Sequence, residues 1–201
     1  MDADRFSPDA SLPAMEPALK QALEQSSAPV VGFVGRLHPD KGIDTLFQAL
    51  RICADRGAEA QLLIVGGDEG AHVDERIDGR QTSIPVHVTG FAADVRPTLR
   101  EMDILVLPSR REGFPNVVLE AAAMTVPAIV SDATGCVDSV IDGETGVIVP
   151  VGDAERLANE LMALLGNRGD RERLGSAARA RVIAEFEPQR VWALHAQRWV
   201  A

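Results

Sequence analysis

Residues 104–120 read Ile104-Leu105-Val106-Leu107-Pro108-Ser109-Arg110-Arg111-Glu112-Gly113-Phe114-Pro115-Asn116-Val117-Val118-Leu119-Glu120. The first four are a continuous apolar run without polar alternation, the pattern of a strand covered on both faces. Pro108 stops it. Val117–Met124 then reads as helix, beginning near Pro115 or Asn116, and proline suits the first helical position. A buried strand therefore runs through a short loop into a helix N-terminus. The amides of Asn116, Val117 and Val118 lack partners within such a helix and point toward the loop mouth. With the helix dipole behind them they favour a phosphate there.

The same alternation continues in both directions. Upstream, Val30–Val34, Leu62–Val65 and Val86–Thr89 are short β-rich runs. Between the first two, Ile43–Arg56 places Ile43, Leu46, Phe47, Leu50 and Cys53/Ala54 at helical spacing. A helix is expected near Asp94–Met102, with Asp94 as its N-cap. Downstream, Ala128–Ser131 and Val147–Val149 read as strands, with a short helix around Val137–Ile141 between them. Asp153 precedes an amphipathic helix carrying Leu157, Leu161, Leu164 and Leu165. Asp170–Glu185 and Gln189–Trp199 read as two more helices. Strands separated by helical segments imply βαβ units and a parallel sheet. The expected fold class is α/β, a Rossmann-like doubly wound parallel sheet of about six strands. Residues 1–29 are expected to be weakly structured, broken by Pro8, Pro13, Pro17 and Pro29, with a short helix at Pro17–Gln25.

The composition narrows the partners. The chain has 201 residues and a formal net charge of −10, which argues against a nucleic-acid partner. No apolar run approaches the roughly 20 residues of a membrane helix, and the start lacks a signal-peptide core. Two cysteines, Cys53 and Cys136, are too few for a disulfide framework or a cysteine metal site. The four histidines show no metal spacing, and the lone Asp-x-Asp, Asp2-Ala3-Asp4, lies far from any strand end. No metal site is expected. Of the 20 cations only Lys20 and Lys41 are lysine.

In an open α/β sheet, ligands bind beyond the carboxyl ends of the strands. Two loops there carry chemistry. Gly35-Arg36-Leu37-His38-Pro39-Asp40-Lys41-Gly42 follows one strand and opens a helix. Its Arg36 and Lys41 can converge on one anion, or be two solvated cations on a surface loop. It is neither a Walker A loop nor a Gly-x-Gly-x-x-Gly fingerprint. In residues 108–120, Glu112 lies before the helix and Glu120 about one turn inside it. Two carboxylates flanking an anion site can accept from two sets of sugar hydroxyls with a diphosphate between them. The plainer reading is an acidic residue complementing a helix dipole. In Gly90-Phe91-Ala92-Ala93-Asp94, Asp94 either caps the next helix or reads a base donor. Gly66-Gly67-Asp68-Glu69-Gly70 reads as a turn.

Taken together, Gly35-Arg36-Leu37, Lys41-Gly42, Val65-Gly66-Gly67 and Val88-Thr89-Gly90-Phe91 resemble the family 4 (group 1) glycosyltransferases. So do Asp103–Ser109, Glu112–Glu120 and Asp142-Gly143-Glu144-Thr145-Gly146. The resemblance runs from Val30 onward and is to the C-terminal, donor-binding domain. Ala133–Val140 looks closest to bacterial capsule and exopolysaccharide transferases. The resemblance implies half of a GT-B fold and a retaining sugar transfer from a nucleoside-diphosphate donor, with no metal and no cofactor. UDP-sugar is the expected donor, GDP-sugar the alternative.

By motif, Arg36 and Lys41 are expected to stabilise the leaving diphosphate, and Glu112 to hold donor-sugar hydroxyls. Gly35, Gly113, Phe114, Pro115, Asn116 and Val117 would line the sugar and phosphates. Glu120 would take the ribose, and Gly90 and Phe91 the base. Where the family often has glycine before a strand's proline, this chain has Thr125-Val126-Pro127, which bears on the helix end.

The implied organisation is an interdomain segment at 1–29, a nucleotide-sugar-binding domain at 30–186 and a crossing helix at 187–201. The implied partner is an N-terminal acceptor-binding domain, in cis or on a second chain. With that domain absent, Phe186, Trp192 and Trp199 are either partly exposed or packed on this domain's own core. The family places such enzymes in the cytoplasm, some peripheral at the inner membrane. A non-catalytic nucleotide-sugar-binding module is the competing reading.

Overall fold

The computed structural model describes residues 1–78 and 81–187. In chain order, the first elements are α1 (Pro17–Glu24), β1 (Val30–Val34), α2 (Ile43–Asp55), β2 (Gln61–Val65), α3 (Val73–Asp78) and β3 (Val86–Val88). There follow α4 (Arg96–Arg100), β4 (Ile104–Leu107), α5 (Asn116–Ala123), β5 (Ala128–Ser131), β6 (Gly146–Val149), α6 (Ala154–Gly166) and α7 (Arg168–Glu185). The strands form one sheet in the order β3-β2-β1-β4-β5-β6. Every pairing is parallel. This is the doubly wound order, with its topological switch between β1 and β4, where Val31 faces Ile104 and Gly32 faces Leu105.

The runs without polar alternation became the central strands. Phe33, Leu62, Leu63, Ile64, Ile104, Leu105 and Ile129 have no exposed surface. Burying each such side chain is worth about 1.5–3 kcal/mol. Helices cover both faces, with α2 packed on α6 and α5 on α7. Cys53 is sealed between the first pair, its Sγ 3.6 Å from the Ala158 carbonyl. Burial pushes its thiol up to about 11, so it is no nucleophile at neutral pH. Asp153 caps α6 by accepting from the Arg156 amide at 2.8 Å.

Four expectations are corrected. Val137–Ile141 forms turns rather than a helix, with Ser139 Oγ donating to the Cys136 carbonyl at 2.5 Å and closing the turn on itself. The α4 helix starts at Arg96, not Asp94. Its N-cap is Val95 and a proline sits in its first turn, while Asp94 is held by the Arg96 amide at 3.1 Å and by its guanidinium. The α7 helix begins at Arg168, because the Asn167 side chain accepts from the Asp170 amide and caps it earlier. Last, residues 1–10 are not loose: Ala3 and Phe6 are buried, and Arg100 donates to the Pro8 and Ala10 carbonyls. Gln61, on β2, ties the rest of that segment by donating to the carbonyls of Leu23 and Ala28.

Thr125 takes the left-handed conformation, with φ of 62°. It turns the chain as glycine would, at a cost of about 1–3 kcal/mol. The crossing helix, with Trp192 and Trp199, lies outside the described residues. Phe186 is half-buried, its ring 5.9 Å from that of Phe114.

Candidate functional site

The site lies at the carboxyl ends of β1 and β4. Beyond β1, the Gly35 amide donates to the Val65 carbonyl at 2.9 Å, so the chain leaves the sheet pinned to its neighbour strand. Leu37 is buried. The His38 ring accepts from the Asp40 amide at 3.2 Å and starts one 3-10 turn, Pro39–Lys41. Gly42 ends it at φ 68°, and a Cβ there would lie 2.0 Å from the Pro108 carbonyl oxygen. The turn thus sets Lys41 directly against the exit of β4.

Beyond β4, Ser109 is fully buried and its Oγ donates to Glu112 Oε1 at 2.8 Å. Its carbonyl accepts from Ser131 Oγ at the end of β5. The Arg110 amide donates to the Asp40 carbonyl at 2.7 Å, and the Glu112 amide to the Thr134 carbonyl at 3.3 Å. On the far side a Cβ on Gly135, whose φ is 84°, would lie 2.1 Å from the Gly113 carbonyl oxygen. The loop is therefore braced by backbone from both neighbouring strands.

Lys41 Nζ lies 2.5 Å from Glu112 Oε1, and the two side chains keep 17% and 11% of their exposure. Arg36 points elsewhere. Its guanidinium pairs with Glu69 at 2.7 Å, with both side chains at least half exposed. Arg36 and Lys41 thus hold separate ion pairs, each with a carboxylate of its own from an adjacent loop. Glu69 and Ser109 had no assigned role in the sequence. Glu69 was detectable only as an acid after the strand next to β1, and Ser109 only as a hydroxyl three residues before Glu112.

Pro115 precedes α5 with no side-chain cap, and the Val118 amide turns back to its carbonyl. Among the described residues, the Asn116 and Val117 amides have no hydrogen-bond partner. One turn further on, Glu120 is half-buried. Burial pushes its carboxyl up; the Arg5 cation pulls it down and the Asp94 charge pushes it up again. Asp94 itself is held below the usual range by its hydrogen bond from Arg96. So Glu120, Asp94 and Arg5 share one field beside α5. Gly90 accepts from the Gly66 amide and turns at φ 70°, and Phe91 is 83% exposed. Phe114 is part exposed.

Among the described residues no three His, Cys, Asp or Glu side chains are grouped as metal ligands would be. A cavity of about 600 Å³ does open near Pro29, Asp103 and Pro127, but at the amino ends of the strands. Its arginines are already spoken for: Arg100 by backbone carbonyls, Arg168 by Glu172, Arg171 by Asp103 and the Leu164 carbonyl. The opposite end of the sheet carries the Lys41–Glu112 pair and the unpartnered amides at the start of α5.

The fold and site define a parallel α/β domain with a lysine–glutamate pair and a helix N-terminus at its topological switch. Residues 28–167 match the model of the family described as glycosyl transferases group 1, and the chain belongs to that family. The capsular polysaccharide biosynthesis glycosyltransferase CapM of Staphylococcus aureus is 37% identical over 165 residues, which are 81% of this chain and 43% of CapM. A GDP-mannose-dependent alpha-(1-6)-phosphatidylinositol monomannoside mannosyltransferase of Mycobacterium tuberculosis is 32% identical over 197 residues. That match takes in 92% of this chain and 50% of the relative. The chain spans about half the length of the curated relatives it matches. Anabaena Alr3699/HepE, solved in complex with UDP and glucose, superposes with a TM-score of 0.82 at 22% identity. The superposition covers all of this chain and 55% of HepE, and it shows a shared fold. Among the described residues no helix is long and apolar enough to cross a membrane.

Proposed function

We propose that this chain is the donor-binding half of a retaining, metal-independent glycosyltransferase of polysaccharide or glycolipid synthesis. The observation that carries the reading is the meeting of Lys41, Glu112 and the free amides of Asn116 and Val117 at the β1/β4 switch. A sugar nucleotide has matching chemistry: hydroxyls, a diphosphate, a ribose and a base. Lys41 and the α5 amides take the diphosphate, with Gly35 and Gly113–Pro115 as close backbone walls. Glu112 accepts from donor-sugar hydroxyls, and Glu120 from the ribose. Gly90 and Phe91 meet the base. Arg36 joins the phosphates by leaving Glu69, an exposed pair that is cheap to break.

In the transfer step the bond from the anomeric carbon to the diphosphate breaks and negative charge grows on the leaving oxygen. The α5 amides and the helix dipole are fixed beforehand where that charge develops, which is the efficient way to stabilise it, and Lys41 turns to it from Glu112. No metal or cofactor enters this scheme. The acceptor is held by an N-terminal domain, in cis or on a second chain. The reaction takes place in the cytoplasm or at the inner face of the membrane, where sugar nucleotides are available. UDP is the expected donor base, in line with the nucleotide in HepE; the GDP-mannose dependence of the mycobacterial relative makes GDP the alternative.

Isothermal titration of the chain with UDP and GDP tests the reading. Binding of one of them, with weaker binding of the nucleoside monophosphate, is expected. Absence of heat from both at millimolar nucleotide overturns it.

A further inference from the structure

Glu112 Oε1 receives two donors, Lys41 Nζ at 2.5 Å and Ser109 Oγ at 2.8 Å. Among the described residues its other oxygen, Oε2, receives none. The two donors differ in what they can do next. Lys41 has a flexible stem, and the nearby phosphate cradle competes for its charge. Ser109 has no exposed surface, sits at the end of β4, and is held by Ser131 through its own carbonyl. Its hydroxyl cannot follow a ligand.

From this geometry we infer that Ser109 is a positioning residue for the donor sugar. When Lys41 turns to the diphosphate, Ser109 keeps hold of Oε1 and Oε2 stays directed at the sugar hydroxyls. The inference rests on the donor-site reading above and adds a division of labour within it. Lys41 answers to the nucleotide, and Ser109 to the sugar. An unrestrained Glu112 would instead spend conformational entropy on each sugar bound, or swing back to Lys41 and compete with the phosphates.

The test compares nucleotide with sugar nucleotide, using the UDP/UDP-glucose or GDP/GDP-mannose pair that the unaltered chain binds. Ser109→Ala is expected to leave nucleoside diphosphate affinity within about twofold and to weaken the sugar nucleotide by about tenfold, the scale of one hydrogen bond to a charged group. In a Glu112→Ala background, Ser109→Ala should have no further effect on the sugar nucleotide. Ser109→Cys keeps the buried volume but donates weakly, and should show the same selectivity at smaller amplitude. It serves if the alanine variant does not fold.

Equal losses for nucleotide and sugar nucleotide would make Ser109 a packing residue and overturn the inference. So would unchanged sugar-nucleotide affinity, or full additivity with Glu112→Ala. If the unaltered chain binds neither pair, the donor-site reading itself fails, and the inference falls with it.

Discussion

Two cations leave the same strand within six residues of each other and meet opposite fates. Lys41 is carried by a tight 3-10 turn into the exit of β4, where its ion pair with Glu112 is largely shielded from water. Arg36 stays at the rim, and its pair with Glu69 is solvated. Charge and loop are the same; burial is not. A shielded pair is held by its surroundings, and breaking one side of it leaves a charge that water cannot reach. A solvated pair can be exchanged for a ligand at almost no cost. The β1 loop thus has one shielded cation and one solvated cation.

The contrast breaks most readily at Lys41. Lys41→Met keeps the stem and removes the charge, leaving Glu112 with Ser109 as its one remaining donor. Denaturant unfolding should show a loss of about 1–3 kcal/mol. Nucleoside diphosphate affinity should fall about tenfold or more. If the variant matches Arg36→Ala in both, the two cations are equivalent and the contrast is void.

An intermediate effect is expected at Glu120. Burial raises its carboxyl, so the folded chain holds a proton there that the unfolded chain has already lost. Stability from this group is therefore present at low pH and falls as pH rises from the ordinary glutamate range through the raised value. Glu120→Gln removes that fall. Melting curves at about pH 4 and about pH 7.5 should show the variant gaining on the parent at the higher pH, by about 2 °C. The same variant should bind UDP or GDP less tightly, since an amide accepts from a ribose less well than a carboxylate. A constant melting difference across pH would show that Glu120 carries no such burden.

The smallest effect belongs to Arg36. Arg36→Ala should change stability by less than about 0.5 kcal/mol. What affinity it costs should shrink as salt rises, because the side chain works from the screened rim. A salt-independent loss would place Arg36 inside the cradle with Lys41.

The sequence was most legible where one signal dominated. Val30–Val34, Ile104–Leu107 and Ala128–Ser131 came out residue for residue, because unbroken apolar runs bounded by turn residues admit few alternatives. Val73–Asp78 was missed, since Val-Asp-Glu-Arg-Ile-Asp is too short and polar to show a periodic face. Asp94 looked like a cap and was instead captured by Arg96, two residues away. At the site, Lys41 and Glu112 were recognisable by loop and spacing. Their direct pairing was not, because it depends on how the β1 and β4 loops meet across the switch. Nor did residue types reveal that Arg36 turns away to Glu69. Side-chain direction is set by neighbours drawn from other strands, and a linear pattern does not encode it.

Gly42 and Gly135 press on the β4–α5 loop from opposite sides, one at the Pro108 carbonyl and one at that of Gly113. This makes the loop's tolerance to change uneven. A side chain at either position would have to displace backbone that carries Glu112, so neither can be used to retune the site. Phe91, by contrast, touches water over most of its surface. On the proposed function it lies at the nucleoside end, so new nucleotide preferences can be explored there, by selection or by an engineer, while the braced loop stays where it is.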